Sequence, residues 1–132
     1  MIRKMMWLDP ALCDQIGRYF DKGSFIDGSD SGTANREIKR TQQLNDDEDA
    51  RELWEHHFWN SPFTSAVCVK RTSGPMFVKY TAEDQGHYDF HNDAPIMGRK
   101  LRSDYVMITA INDHDEYEGG DLQIRFGSET YA

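Results

Sequence analysis

Two side chains that could bind a metal ion stand two residues apart in the second half of the chain. His91 and Asp93 lie in the run Gly-His-Tyr-Asp-Phe-His-Asn-Asp-Ala of residues 86–94. In a β-strand, residues two apart point to the same face, so the imidazole and the carboxylate would converge on one point. They would supply two of the three ligands of a facial two-histidine, one-carboxylate iron site, which keeps positions open for a cosubstrate and oxygen. The alternative is a hydrogen-bonded pair at the surface, because a His-x-Asp pattern also arises by chance.

The other histidines and a cluster of acidic residues are weaker candidates for a site. The acidic cluster surrounds Gly119 and Gly120, departs from the calcium-loop pattern in its glycine and final glutamate, and is better interpreted as a turn feeding a strand. His114 lies in that turn, where nothing marks it as a ligand. The pair at 56–57 lies near the end of a predicted helix, where histidine favours the helix dipole. His87 stays unassigned.

Three ordered motifs surround and follow the His-x-Asp pair. They are Tyr-Thr-Ala-Glu-Asp-Gln-Gly-His-Tyr-Asp-Phe-His-Asn-Asp at 80–93, Arg-Ser-Asp-Tyr at 102–105 and Asp-Glu-Tyr-Glu-Gly-Gly-Asp-Leu-Gln-Ile at 115–124. In order and spacing they resemble the 2-oxoglutarate- and iron-dependent dioxygenases of the prolyl 4-hydroxylase type, and among them the bacterial PKHD-type hydroxylases. Phe25-Ile-Asp-Gly28 and Lys39-Arg-Thr-Gln-Gln-Leu44 also resemble the N-terminal region of that family. The resemblance runs from about residue 20 to residue 126.

The resemblance implies a function and a role for four residues. His91 and Asp93 would bind Fe(II), Tyr80 would reach 2-oxoglutarate, and Tyr88 would line the pocket. The implied cofactors are Fe(II), the cosubstrate 2-oxoglutarate and, as a further candidate, L-ascorbate. The implied partners are O2 and an unknown peptide or small molecule, for which the family name suggests prolyl groups. The implied reaction is insertion of oxygen into a C–H bond with release of succinate and CO2.

The pattern of apolar residues predicts the elements that would position these side chains. Asp9-Pro10, followed by apolar residues four apart, predicts a helix of about three turns, and Asn45 with Glu48 predicts the capping box of a second helix that ends at Asn60-Ser-Pro62. After residue 64 the period changes to two, which predicts antiparallel strands at 65–71, 75–80, 86–92, 104–112 and 120–126. The state of Ile38–Leu44 is left open.

The fold class predicted from these elements and the resemblance is a β-rich α+β fold. The resemblance makes it a double-stranded β-helix, or jelly roll, with N-terminal helices, incomplete before its last strands. Residues 1–64 would form an N-terminal helical region, and residues 65–132 the first part of the jelly-roll domain.

Composition narrows the functional class. The 132 residues carry a net charge of -8, which argues against a nucleic-acid-binding surface. No run is long and apolar enough to predict a membrane span, and the first residues lack a signal-peptide core, so we expect a cytoplasmic protein. Cys13 and Cys68 are interpreted as small hydrophobic residues rather than a disulfide framework.

Two family motifs are missing from the sequence. The distal histidine, and the arginine or lysine that anchors 2-oxoglutarate, have no counterpart among the 39 residues after Asp93, and five strands fall short of the eight of a jelly roll. The chain is therefore expected to be a fragment of a longer dioxygenase. The alternatives are a truncated product without catalysis, a partner chain that completes the barrel, and a non-catalytic jelly-roll module that binds a sugar or peptide.

Overall fold

The computed structural model describes residue 2 and residues 4–30, 37–97 and 100–132. Three α-helices lie in the first half of the chain, and none of the helices in the described ranges is long and apolar enough to cross a membrane. They are α1 (Pro10–Lys22), α2 (Glu48–Trp59) and α3 (Pro62–Ala66).

Helix α1 confirms the first predicted helix. The Asp9 carboxylate accepts a hydrogen bond from the Leu12 backbone N–H at 2.9 Å, and Pro10 occupies the first helical position, where it lacks only an N–H that would be unpaired anyway. The apolar face of the helix buries Leu12 and Ile16, which are 5% and 1% exposed. This face anchors the small hydrophobic core.

Helix α2 begins two residues later than predicted, with a different capping residue. Asp47, not Asn45, accepts from the backbone N–H of Ala50 at 3.0 Å. The Asn45 N–H is bonded to the Ser24 carbonyl, so it is not available to the Glu48 side chain as the predicted capping box requires. Within α2, Trp54 and Phe58 stack with ring centroids 4.5 Å apart, and Phe58 is buried.

The strands are short, and every pairing between them is antiparallel. β3 lies between β1 and β4 in a three-stranded sheet, while β2 pairs with β5, β6 with β7 and β8 with β9. The strands are β1 (Phe25–Asp27), β2 (Lys39–Arg40), β3 (Gln42–Leu44), β4 (Val78–Lys79), β5 (His87–Tyr88), β6 (Ile96–Met97), β7 (Leu101–Arg102), β8 (Ile124–Phe126) and β9 (Glu129–Tyr131). The segment left open at Ile38–Leu44 therefore supplies two strands.

The three-stranded sheet packs one face on α1. Phe25 and Leu44 are directly opposed across β1 and β3, and the Phe20 ring of α1 lies 6.1 Å from the rings of both Phe25 and Phe77. The next residues along these two strands are Ile26 and Gln43, and their side chains point to the opposite face of the sheet. Ile26 is 44% exposed, so this second face is open.

Several predicted strands are shorter than expected or wrong. Strand 65–71 is wrong, because Ser61 caps a new helix with Pro62 in its first turn and Cys68 then adopts a positive φ of 53°. Strands 75–80, 86–92 and 120–126 shrink to β4, β5 and β8. Residues 104–112 form no hydrogen-bonded strand with any segment that the structure describes.

The last third of the chain keeps the predicted alternation without a covering layer. Met107, Thr109 and Ile111 are half-buried, and the Trp7 indole N–H donates to Thr109 Oγ1 at 3.3 Å. Val106 and Ile108 are 57% and 65% exposed. The fold is thus mixed α and β with antiparallel pairing, and the described residues close no barrel.

Candidate metal centre

Strand β5 carries the chain toward the candidate metal ligands. It pairs with β2 so that Lys39 opposes Tyr88 and Arg40 opposes His87, and the Asp89 N–H then donates to the Ile38 carbonyl at 2.9 Å. The backbone is therefore tied to β2 as far as Asp89. His91 follows two residues after the last of these bonds.

The imidazole of His91 is oriented by its own backbone. Its Nδ1 lies 2.8 Å from the Asp89 carbonyl oxygen. A carbonyl can only accept, so Nδ1 carries a proton, and Nε2 is the ring nitrogen left to bind a metal ion. A backbone carbonyl that fixes the tautomer in this way is the usual support of a metal-binding histidine.

The Nε2 atom of His91 faces the carboxylate of Asp93. His91 Nε2 and Asp93 Oδ1 are 3.4 Å apart, as the period of two predicts, although β5 has already ended at Tyr88. Two ligands about 2.1 Å from one ion and at right angles to each other are separated by roughly 3 Å, so this spacing fits a shared metal ion. The two side chains are 35% and 55% exposed, which keeps the other side of such an ion accessible.

The described residues supply these two ligands and not a third. Across the described ranges there is no group of three or more His, Cys, Asp or Glu side chains arranged to hold a metal ion. The arrangement has the donor types of a facial triad with one donor missing.

Tyr88 lies directly against the imidazole of His91. The two rings are stacked, with centroids 3.6 Å apart and an angle of 11° between their planes. The Lys39 ammonium lies 5.2 Å from the centroid of the same tyrosine ring. Lys39 is only 4% exposed, and burial lowers its pKa while the nearby Asp27 carboxylate acts in the opposite direction.

A tight turn brings Tyr80 back toward Tyr88. The Gly86 N–H donates to the Thr81 carbonyl at 2.8 Å, which closes the loop between the two tyrosines. Burial raises the pKa of the Tyr80 phenol, and the negative charge that Tyr88 can acquire raises it further. The two phenols therefore lie within electrostatic reach of each other.

His87 points away from this group and holds the turn together. Its Nδ1 lies 2.8 Å from the Gln85 carbonyl, and its Nε2 lies 3.0 Å from the Glu37 carbonyl. These two acceptors, Gln85 first, raise the pKa of His87, because only the protonated ring can donate to both. Both ring nitrogens of His87 are therefore occupied by backbone carbonyls, so this residue has a structural role and is not a ligand.

The acidic turn near the C-terminal end matches its expected structural role. Gly119 and Gly120 have φ values of 73° and 70°, which glycine adopts without strain. His114 lies in a short 3-10 helix and contacts Asp115, with Nε2 and Oδ1 2.9 Å apart and both side chains 85% exposed. This exposed pair is a natural control for the pair at 91 and 93.

Comparison with curated proteins identifies relatives of the chain. A PKHD-type hydroxylase of Synechococcus sp. (strain CC9311) is 34% identical over 134 residues, which cover 97% of this chain and 60% of the relative. The chain is a homologue of the PKHD-type hydroxylases. Two further PKHD-type hydroxylases, from Sphingopyxis alaskensis and Acinetobacter baumannii, are 28% and 26% identical over 80% and 89% of the chain.

The chain spans about three fifths or less of the length of these PKHD-type hydroxylases, with shares of 60%, 50% and 55%. No family model matches the chain. No solved structure is similar to it either. The homology confirms the resemblance read from the ordered motifs of the sequence.

Sequence reasoning missed two contributors to this centre. Lys39 stands in the Ile38–Leu44 segment, whose state was left open, and only the β2–β5 pairing brings it to Tyr88. The Asp89 carbonyl contributes through the backbone, so its residue type carries no signal. The hint that the sequence offered for Lys39 was its place in the Lys39–Leu44 run that resembles the N-terminal region of the family.

Proposed function

We propose that this chain forms the iron-binding part of an Fe(II)- and 2-oxoglutarate-dependent hydroxylase. The observation that carries the proposal is the pair of donor atoms 3.4 Å apart on His91 and Asp93, with the histidine tautomer set by the Asp89 carbonyl. The similarity to proteins named PKHD-type hydroxylase supports it independently.

Each residue of the centre has a defined part in this proposal. His91 Nε2 and Asp93 Oδ1 would hold Fe(II), and Tyr80 would donate its phenolic proton to a carboxylate oxygen of 2-oxoglutarate. When bound, the iron and cosubstrate supply the oxidising chemistry, in which 2-oxoglutarate, O2 and a C–H bond yield succinate, CO2 and a C–OH group. The neutral Tyr80, whose pKa is raised by burial, keeps that proton available near neutral pH.

The proposal places two further groups outside these 132 residues. They are the second histidine of the triad and the cation that binds the far carboxylate of 2-oxoglutarate. The greater length of the relatives supports this placement, because two fifths of the Synechococcus protein lies outside the match. The alternatives are a partner chain that supplies both groups and a truncated product without activity.

A jelly roll is the fold we propose for the complete protein. The exposed side chains of Val106, Ile108 and Phe126 support it, since they are 57%, 65% and 77% exposed and belong to the alternating runs of the sequence. Apolar side chains of this kind usually face a second layer. Three further points stay proposals. They are a substrate that carries prolyl groups, the use of L-ascorbate and a cytoplasmic location.

The test is turnover of 2-oxoglutarate by the polypeptide extended to the length of its relatives. We expect Asp93→Ala to abolish succinate formation, because the iron loses its carboxylate ligand. Asp115→Ala, which removes the carboxylate of an 85% exposed side chain, should leave turnover unchanged. Equal activity of the Asp93 variant and the wild type would reject the assignment of this ligand.

The competing function is a non-catalytic binding module. It is favoured by the finding that only two ligands come together among the residues the structure describes. Fe(II) and 2-oxoglutarate, added without oxygen, distinguish the two functions. A visible charge-transfer band from the extended polypeptide supports the hydroxylase, and its absence at saturating metal supports the binding module.

A further inference from the structure

We propose that Tyr88 is a positioning residue that fixes the imidazole of His91 by face-to-face stacking. This inference rests on the proposed function, since it assigns Tyr88 a task at the iron-binding pair. It also differs from the pocket-lining role that the family resemblance implied for Tyr88.

The need for such a residue follows from where strand pairing stops. Asp89 makes the last backbone bond, to Ile38 directly before β2, and residues 91–94 belong to no helix or strand. The His91 side chain is 35% exposed, so solvent and protein compete for the ring. One hydrogen bond, from Nδ1 to the Asp89 carbonyl at 2.8 Å, still allows the ring plane to tilt about that bond.

The stack removes this remaining freedom. With centroids 3.6 Å apart and planes within 11° of parallel, any large tilt of the imidazole would push it into the phenol ring. The hydrogen bond fixes which nitrogen is protonated, and the stack fixes the plane in which Nε2 points at Asp93. Together they define the direction of the lone pair.

Tyr88 itself is held in place by the pairing of β5 with β2. It is the last residue of β5 and opposes Lys39 in the pairing with β2. The Lys39 ammonium lies 5.2 Å from the phenol centroid, a distance at which a cation is attracted to an aromatic ring. Lys39 is 4% exposed, so its position is fixed by the surrounding protein. Lys39 and the strand pairing hold Tyr88 in place, and Tyr88 in turn restrains His91, which lies beyond the end of β5.

The test compares Tyr88→Leu with Tyr88→Phe in the 132-residue chain. Leucine keeps apolar volume but removes the ring, whereas phenylalanine keeps the stack and removes only the hydroxyl. Aromatic pairs of this kind correspond to about a 2- to 12-fold change in an equilibrium constant, so Tyr88→Leu should weaken Mn(II) binding by that factor. Tyr88→Phe should bind as the wild type does, and so should Tyr105→Leu, which alters a tyrosine that is 66% exposed.

A second readout needs no metal. In the NMR spectrum of the metal-free protein, the His91 ring protons, assigned with His91→Gln, should be shifted upfield by the phenol ring and show cross-relaxation to it. Tyr88→Phe should preserve the upfield shift, and Tyr88→Leu should abolish it. The wild-type spectrum tests the stack even if the leucine variant fails to fold.

The outcomes separate this inference from the function on which it rests. Unshifted His91 protons in the wild type, or equal Mn(II) affinity of Tyr88→Leu and wild type, overturn the positioning role while the iron site stands. A phenylalanine variant as weak as the leucine variant also overturns it, because the hydroxyl would then be the group that matters. If Mn(II) binds neither the wild-type chain nor the polypeptide extended to the length of its relatives, both proposals fall.

Discussion

Replacing Gly86 by alanine tests the turn that brings Tyr80 to Tyr88. A Cβ atom at Gly86 would lie 2.9 Å from the Thr81 backbone nitrogen, and 3.0 and 3.1 Å from Cα and Cβ of Tyr80. Ordinary contacts begin at 3.4 Å, and two of these three atoms are backbone, so the turn itself must move. Gly86 is not among the glycines with positive φ, which leaves steric overlap as the cause of any loss.

The magnitude follows from the cost of one methyl group forced into a packed site, about 1–3 kcal/mol. With a urea m-value of about 1–3 kcal/mol/M, the unfolding midpoint should fall by roughly 0.3–3 M. Trp7, Trp54 and Trp59 supply the fluorescence signal for urea unfolding. The slope should stay unchanged, because the unfolded chain exposes the same surface.

Gly17→Ala is the matched control for this experiment. Gly17 lies inside α1, and nothing lies within 4 Å of the place where a Cβ would stand. The same chemical change should therefore stabilise the chain by about 0.5–1 kcal/mol, since alanine loses less backbone freedom in a helix. A Gly86 variant as stable as the wild type, or both variants shifting in the same direction, would refute the geometry of the turn.

Further predictions concern the core, a helix cap, the pH dependence and the open apolar surface. Ile16→Ala should lower the free energy of unfolding by about 2–5 kcal/mol, measured in urea, because the side chain is 1% exposed; a loss below 0.5 kcal/mol would contradict this core. Asp47→Ala should cost about 1 kcal/mol by removing the α2 cap, whereas Asp46→Ala should change little. The stability that His87 contributes should be present below pH 6.5 and lost as pH rises through its raised pKa, and urea midpoints of His87→Ala should lack this decline. Ile108→Ser should reduce binding of an apolar dye, and an unchanged signal would mean that the exposed face is not its site.

The start of α1 could be predicted from the sequence because its signals are local. A side-chain cap, a proline and an apolar stripe lie within a few residues of one another, and each acts on its own turn. The cap of α2 moved from Asn45 to Asp47 because a distant residue, Ser24, binds the Asn45 N–H. No pattern around residue 45 reports that contact.

The strands show what an alternating pattern specifies. At 104–112 the pattern put Val106 and Ile108 on one face, but that face is exposed, and it is Thr109 on the opposite face that is half-buried against Trp7. It did not specify a hydrogen-bonding partner, so no strand formed. At 65–71 the alternation was overridden by Ser61 and Pro62, which restart a helix.

The candidate site was predictable to the extent that it is local. His91 and Asp93 are two residues apart, and the convergence of their side chains needs only a nearly extended backbone. The stack of Tyr88 on His91 and the approach of Lys39 depend on the end of β5 and on its pairing with β2. Those features are set by tertiary structure, which single-sequence patterns do not encode.

The most direct test of the central claim is Mn(II) titration of the wild-type chain, followed by NMR of its five histidines. His114 and Asp115 form the control, because their donor atoms are closer, at 2.9 Å, but lack the stacked ring and the carbonyl support of His91. The account predicts that the His91 signals broaden first and that Asp93→Ala removes this selectivity. If the His114 signals broaden first, or all five broaden together, the pair at 91 and 93 is not a metal centre.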